Sequence, residues 1–158
     1  MPPPLAVASL SKIELWLGLE INREKTKVVD LGRPDAGLDF LGYTFRYDRD
    51  LRGRGYRYLN VTPSEKALGA EYNALRELIN HRRGHVPIPQ LIKEVNWQLR
   101  GWSNYFSFGY PRKVKRKVNR FVRTRLIKHL RRRSQRPFRP PEGRTYYRHL
   151  KCLGLVYL

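Results

Sequence analysis

The stretch QLRGWSNYFSFGYPRKVKRKVNRFVRTR, residues 98–125, changes character at Pro111. Up to it, aromatic residues are spaced around a glycine and the proline; after it comes a dense run of cations. Working back from Gln98, Ile88, Ile92, Val95, Leu99, Trp102 and Phe106 repeat at helical spacing, predicting a helix that begins around the IPQL segment. Working forward, Val114, Val118, Phe121, Val122 and Leu126 form the apolar stripe of a helix over 113–133. At 100° per residue, Lys113, Arg116, Lys117, Arg120, Arg123 and Arg131 gather opposite that stripe. The same spacing that buries the stripe therefore projects the cations together.

Twelve Lys/Arg occur in the 22 residues from Arg112 to Arg133, and no Asp or Glu stands between Pro111 and Pro141. A helix face that is merely solvated usually interleaves acids for i,i+4 pairing. Their absence points to a polyanionic partner, with nucleic acid favoured over a membrane surface. The candidate contacts are Arg112, Lys113, Arg116, Lys117, Arg120, Arg123, Lys128 and Arg131. If roughly six of them neutralise phosphates, counterion release predicts about a thousandfold loss of affinity between about 50 and 200 mM salt. Contacts of this kind carry affinity without sequence information.

A second line runs along the preceding helix through Trp97, Gly101 and Asn104. Gly101 costs about 1 kcal/mol relative to alanine in a helix, which suggests a close approach to the backbone there. Helix packing is the favoured reading for Trp97 and Trp102, and base stacking is the alternative.

The whole chain has 158 residues, 33 Lys/Arg, 13 Asp/Glu and a net charge of +20. Residues 1–80 hold 12 basic and 11 acidic side chains, whereas residues 81–158 hold 21 and 2, so the binding face belongs to the second half. The length fits one core, or a small domain with appendages. Cys152 is alone and the four histidines are scattered, which leaves no intramolecular disulfide and no zinc-finger set. No apolar run approaches a membrane span and MPPPLAVASL lacks signal-peptide organisation, so a cytoplasmic protein without a membrane partner is expected.

Nearer the start, residues 1–10 form an unpatterned leader. Leu10, Ile13 and Leu17 suggest a short helix stopped at Gly18, and the segment 22–30 a turn into a strand at Val28 and Val29. LDFLGYTFRY then reads as one extended strand with Leu41, Tyr43, Phe45 and Tyr47 on one side, and GYRYLNV as its return across DRDLRGR, making a β-hairpin. Thr62 and Glu65 have capping-box spacing with Pro63 at the first helical position; Leu68, Tyr72, Leu75 and Ile79 continue the stripe, and Gly84 supplies the stop. The proline-rich link SQRPFRPPEGR leads to TYYRHLKCLGLVYL, which is apolar enough to dock back on the body. Asp48 and Asp50 are a possible metal pair by type, but neighbouring arginines would compete for them. No phosphate loop, nucleophilic triad or metal set emerges, so composition and spacing alone stop at a basic nucleic-acid-binding module of mostly α class with an N-terminal β-hairpin (α+β).

The order LGLEINREKTKVV, LDFLGYTF, VNWQLRGWSNYF, a basic helix, RRSQRPFRPPEG and HLKCLGLVYL resembles the C-terminal part of bacterial group II intron-encoded reverse transcriptase/maturases, from about Lys12 onward. The resemblance implies that residues 11–61 are the end of a polymerase palm with its primer-grip hairpin, 62–133 a three-helix maturase-specific or thumb domain, and 134–158 a basic tail like the DNA-binding extension. Lys25 then corresponds to the lysine often proposed to protonate the leaving pyrophosphate, although outside a complete palm it reads as a surface lysine. Leu41 and Gly42 correspond to the primer grip, and Asn96, Gly101, Trp102, Asn104, Tyr105 and Phe106 to the signature of the thumb, with Gly101 and Asn104 as packing and positioning elements.

The family's Tyr-x-Asp-Asp turn, earlier aspartate, fingers and cysteine-bearing endonuclease module have no counterpart here. No catalytic residue is therefore assigned, and no cofactor: Mg²⁺ is expected only in a complete reverse transcriptase. The implied partner is structured intron RNA, with DNA as a further candidate. Three readings follow: an RNA-binding maturase fragment, the C-terminal piece of a split or truncated reverse transcriptase that works with an upstream palm fragment, or a remnant without function.

Overall fold

The computed structural model describes residues 12, 14–18, 20, 22, 24, 29–33, 36–50 and 54–158. Lys12 and residues 14–17 are helical; Gly18 (φ 62°) ends the turn, its N–H donating to the Glu14 carbonyl at 2.9 Å. Leu10, Ile13, Lys25 and Val28 lie outside the described residues, and Val29 is in no strand.

The expected single strand through LDFLGYTFRY is in fact two. Strand β1 (Gly37–Phe40) and strand β2 (Tyr43–Arg49) pair antiparallel, with Phe40 opposite Tyr43. Leu41 and Gly42 form the two-residue turn between them, with φ of 47° and 80°. Positive φ at both central residues suits the right-handed twist of the flanking strands. Gly42 adopts it without cost, whereas Leu41 is forced into a conformation that its Cβ disfavours. Leu41 consequently does not share a strand face with Tyr43, Phe45 and Tyr47. Strand β3 (Arg57–Pro63) pairs with β2 from Arg49↔Arg57 to Tyr43↔Pro63, giving a three-stranded sheet in the order β1-β2-β3.

Helix α1 (Glu65–Leu78) starts later than the Thr62/Glu65 capping box predicts. Thr62 and Pro63 are still paired in the ladder, and Pro63, lacking an N–H, is tolerated at a strand end. Ser64 caps instead: its Oγ accepts from Ala67 N at 3.2 Å, while its own N–H donates to the Gly42 carbonyl at 2.8 Å. The helix also ends before Gly84. Ile79 turns into the core, and Asn80 caps a short 3₁₀ turn, His81–Arg83, that Gly84 closes.

Helix α2 (Ile88–Tyr105) and helix α3 (Arg112–Arg132) follow the expected bounds closely. Leu75 and Ile79 meet Leu91, Ile92, Val95, Leu99 and Trp102 of α2 and Val118, Val122, Leu126 and Leu130 of α3 in one buried cluster. The tail docks on it as expected. Helix α4 (Tyr146–Cys152) inserts Leu150, and the following segment inserts Leu155.

Two asparagine side chains fasten that last segment. Asn96 donates from Nδ2 to the Gly154 carbonyl (2.8 Å) and accepts at Oδ1 from Val156 N (2.9 Å). Asn119 does the same to Leu158, Nδ2 to carbonyl at 3.0 Å and Oδ1 from the amide at 3.0 Å. Each amide thus serves a backbone donor and a backbone acceptor, as a neighbouring strand would.

Candidate nucleic-acid interface

The apolar stripe of α3 is held by α1, α2 and the tail, which fixes the direction of its other face. Arg112, Lys113, Arg116, Lys117, Arg120, Lys128 and Arg131 are exposed and Arg123 is half-buried. Among the described residues none of these cations is in an ion pair; the ion pairs are Arg33–Asp30, Arg46–Asp48 and Arg83–Glu94. Two other cations of the helix turn inward. Lys115 donates to Ser103 Oγ (2.8 Å) and Arg125 to the Ile79 carbonyl (3.3 Å). Arg131 is the exception on the outer face, with Nε donating to Tyr146 Oη (3.2 Å) and its guanidinium 5.2 Å from the ring centroid. It orders the tail as well as adding charge.

The N-terminal end of this face opens into a cleft of about 810 Å³ between α3 and the sheet. Arg112, Lys113 and Lys117 stand on the helical side; Asp39, Asp48 and Asp50 stand on the other. Asp48 is bound to Arg46 (2.9 Å) and accepts from Asn60 Nδ2. Among the described residues no group of three or more His, Cys, Asp or Glu is placed to hold a metal ion.

The Trp97 line differs from expectation. Trp102 is core at 9% exposure, but Trp97 is 64% exposed, with Lys93 Nζ 5.4 Å from its ring centroid. A Cβ on Gly101 would meet nothing within 4 Å, and Asn104 is exposed. Gly101 therefore packs against no described side chain through the place a Cβ would take. Among the described residues nothing gives the helix a steric reason to keep its glycine there.

The remaining signature residues join the parts. Tyr105 Oη donates to the Leu41 carbonyl (3.0 Å), Tyr43 Oη donates to the Tyr105 carbonyl (2.5 Å), and Phe106 lies edge-on to Tyr43 with centroids 5.0 Å apart. A Cβ on Gly42 would come within 3.4 Å of Phe106. Leu41 and Gly42 are thereby seated on the C-terminal end of α2. Asn96 clamps the tail.

Sequence reading passed over three residues. Gly109 (φ 81°) lies so close to β3 that a Cβ would sit 2.2 Å from the Val61 carbonyl oxygen, which also accepts from Tyr110 N at 3.0 Å. Its signal was the Gly-Tyr-Pro turn before α3. Asn119 is a polar residue adjoining the stripe at Val118. His129 sits on the stripe itself and is 6% exposed. Burial lowers its pKa below the usual imidazole value, as does Arg133; a hydrogen bond to the Asn80 backbone opposes this, and Arg83 and Arg125 lower it further.

Fold and charge together define a small α+β domain with one cationic helix face free of acids. Residues 72–151, just over half the chain, match the family model of the group II intron maturase-specific domain, and the chain belongs to that family. A comparison with curated proteins returned no match. Among the described residues no helix is long and apolar enough to cross a membrane.

Proposed function

We propose that this maturase-family chain binds structured intron RNA through the outer face of α3 and favours its splicing-competent fold. The observation that carries the reading is the row Lys113, Arg116, Lys117 and Arg120, exposed without acidic partners on a helix whose opposite face is locked in the core. The mechanism is stoichiometric. Cations neutralise phosphates that crowd together only in the folded RNA, so affinity is greater for that state and the equilibrium moves toward it. The splicing chemistry stays in the RNA.

The test is binding of intron RNA against unrelated duplex at 150 mM salt, repeated with Lys113, Arg116, Lys117 and Arg120 all changed to Glu. Preference for intron RNA, lost with the charge reversal, supports the proposal. Equal affinity for both RNAs overturns it.

A second reading, the C-terminal piece of a reverse transcriptase acting with a separate palm, is favoured by one observation. Leu15 (91% exposed) and Trp16 (86%), with Phe40 and Leu41 of the hairpin, present apolar surface that nothing in the described chain covers. Co-expression with a palm-bearing fragment would protect Trp16 from solvent quenching if the two associate. Unchanged fluorescence would remove this reading.

A further inference from the structure

A small pocket of about 190 Å³ lies at the other end of α3, between its last two turns and the 3₁₀ turn after α1. His129 forms its buried side, and Arg125, Lys128, Arg132, Arg133 and His81 surround it. Two buried nitrogen atoms of these residues, His129 Nε2 and Arg125 Nε, have no hydrogen-bond partner. Leaving such atoms unpaired is costly, and each is a reason to look for a missing partner. His129 Nε2 is thus the ring atom open to a further partner.

The charges around the pocket define what that partner can be. The groups facing His129 are His81 and Arg83 from the 3₁₀ turn and Arg125, Lys128, Arg132 and Arg133 from α3. The nearby acid, Glu94 of α2, is held by Arg83 at 2.6 Å. Carbonyls at the helix C-terminus oppose an anion, but their effect amounts to about half a charge. Several full positive charges outweigh it.

We infer that this pocket binds one phosphate group, held by Lys128, Arg132 and Arg125 Nε, with protonated His129 donating to it from Nε2. The pocket is separate from the outer row at Lys113–Arg120. It rests on the RNA-binding reading only for the source of the phosphate, which would be the RNA. Linkage fixes the sign of the pH effect. A bound phosphate favours the imidazolium, so binding takes up a proton and tightens as pH falls through the His129 titration.

The experiment follows the His129 imidazole by NMR during titration with inorganic phosphate, at constant ionic strength set with chloride. The expected result is a rise of the His129 midpoint by about one pH unit, a linkage of about tenfold, absent in Lys128→Ala/Arg132→Ala. Both substituted side chains are exposed, so the fold should survive. An unmoved midpoint, or an equal rise in the double variant, overturns the pocket. Titration with the intron RNA is the second arm: the same His129 response supports RNA as the source, and RNA binding without it overturns that source. If RNA does not bind at all while inorganic phosphate still moves His129, the RNA-binding function fails and the pocket stands.

Discussion

Residues 37–63 and residues 65–158 are held by different forces. The sheet has its hydrogen-bonded ladder and little interior: every residue of β1 is exposed, and burial in β3 begins only at Asn60 and Val61. The helices and tail share a single apolar cluster with Leu75, Leu91, Val95, Leu99, Val118 and Leu150 wholly buried. Three short strands with so small an apolar face do not make an independent domain. The sheet is ordered by what it leans on: Phe106 under Gly42, Val61 against Gly109, and Ser64 bonded to Gly42.

Gly109→Val attacks that junction and should have the largest effect. It demands positive φ of a β-branched residue and puts a Cβ into the Val61 carbonyl, so a loss of about 4 kcal/mol or more is expected, read by denaturant unfolding. Loss of sheet protection in hydrogen exchange while α2 and α3 stay protected would sharpen the contrast between the regions. Trp102→Ala strikes only the helical side and should cost about 3–5 kcal/mol, whereas Trp97→Ala, five residues away, should stay within about 0.5 kcal/mol. Equal costs would break the assignment of the two faces of α2.

A smaller effect belongs to Glu71, buried with Oε2 accepting from Gln98 Nε2 at 2.6 Å. Burial raises its pKa above 4.5, and the Gln98 hydrogen bond only partly opposes this. A carboxyl raised on folding favours the folded state below its unfolded pKa, and that advantage is lost as pH rises through the folded value. Glu71→Gln should therefore gain stability relative to the parent from pH 4 to pH 7, by about 1 kcal/mol. A thermal unfolding series that showed the opposite slope would reject this account.

The helical side was the more legible in sequence, for a physical reason. A stripe such as Val114, Val118, Val122, Leu126 repeats over about three turns, and each repetition reinforces the same register. The bounds of α2 and α3 and the placement of the cations follow from that redundancy. The hairpin across residues 50–56 was legible, but its first strand was read as continuous, because one dipeptide, Leu41-Gly42, breaks it and leucine is a poor advertisement for a positive-φ turn. The cap moved from Thr62 to Ser64 because the strand ladder extends to Pro63, a long-range effect that local grammar does not contain. His129 and Asn119 were missed because a polar residue on or beside an apolar stripe looks like an imperfection until its partner, far along the chain, is in place.

The asparagine clamps carry a consequence for the order of assembly. Asn96 and Asn119 grip residues 39 to 60 positions away, so we expect these non-local bonds to form after the helices have paired. The final segment acts as a latch on a finished bundle. Its amides at Val156 and Leu158 should therefore exchange with deuterium before those of Val95 and Leu99, making the latch an early reporter of opening.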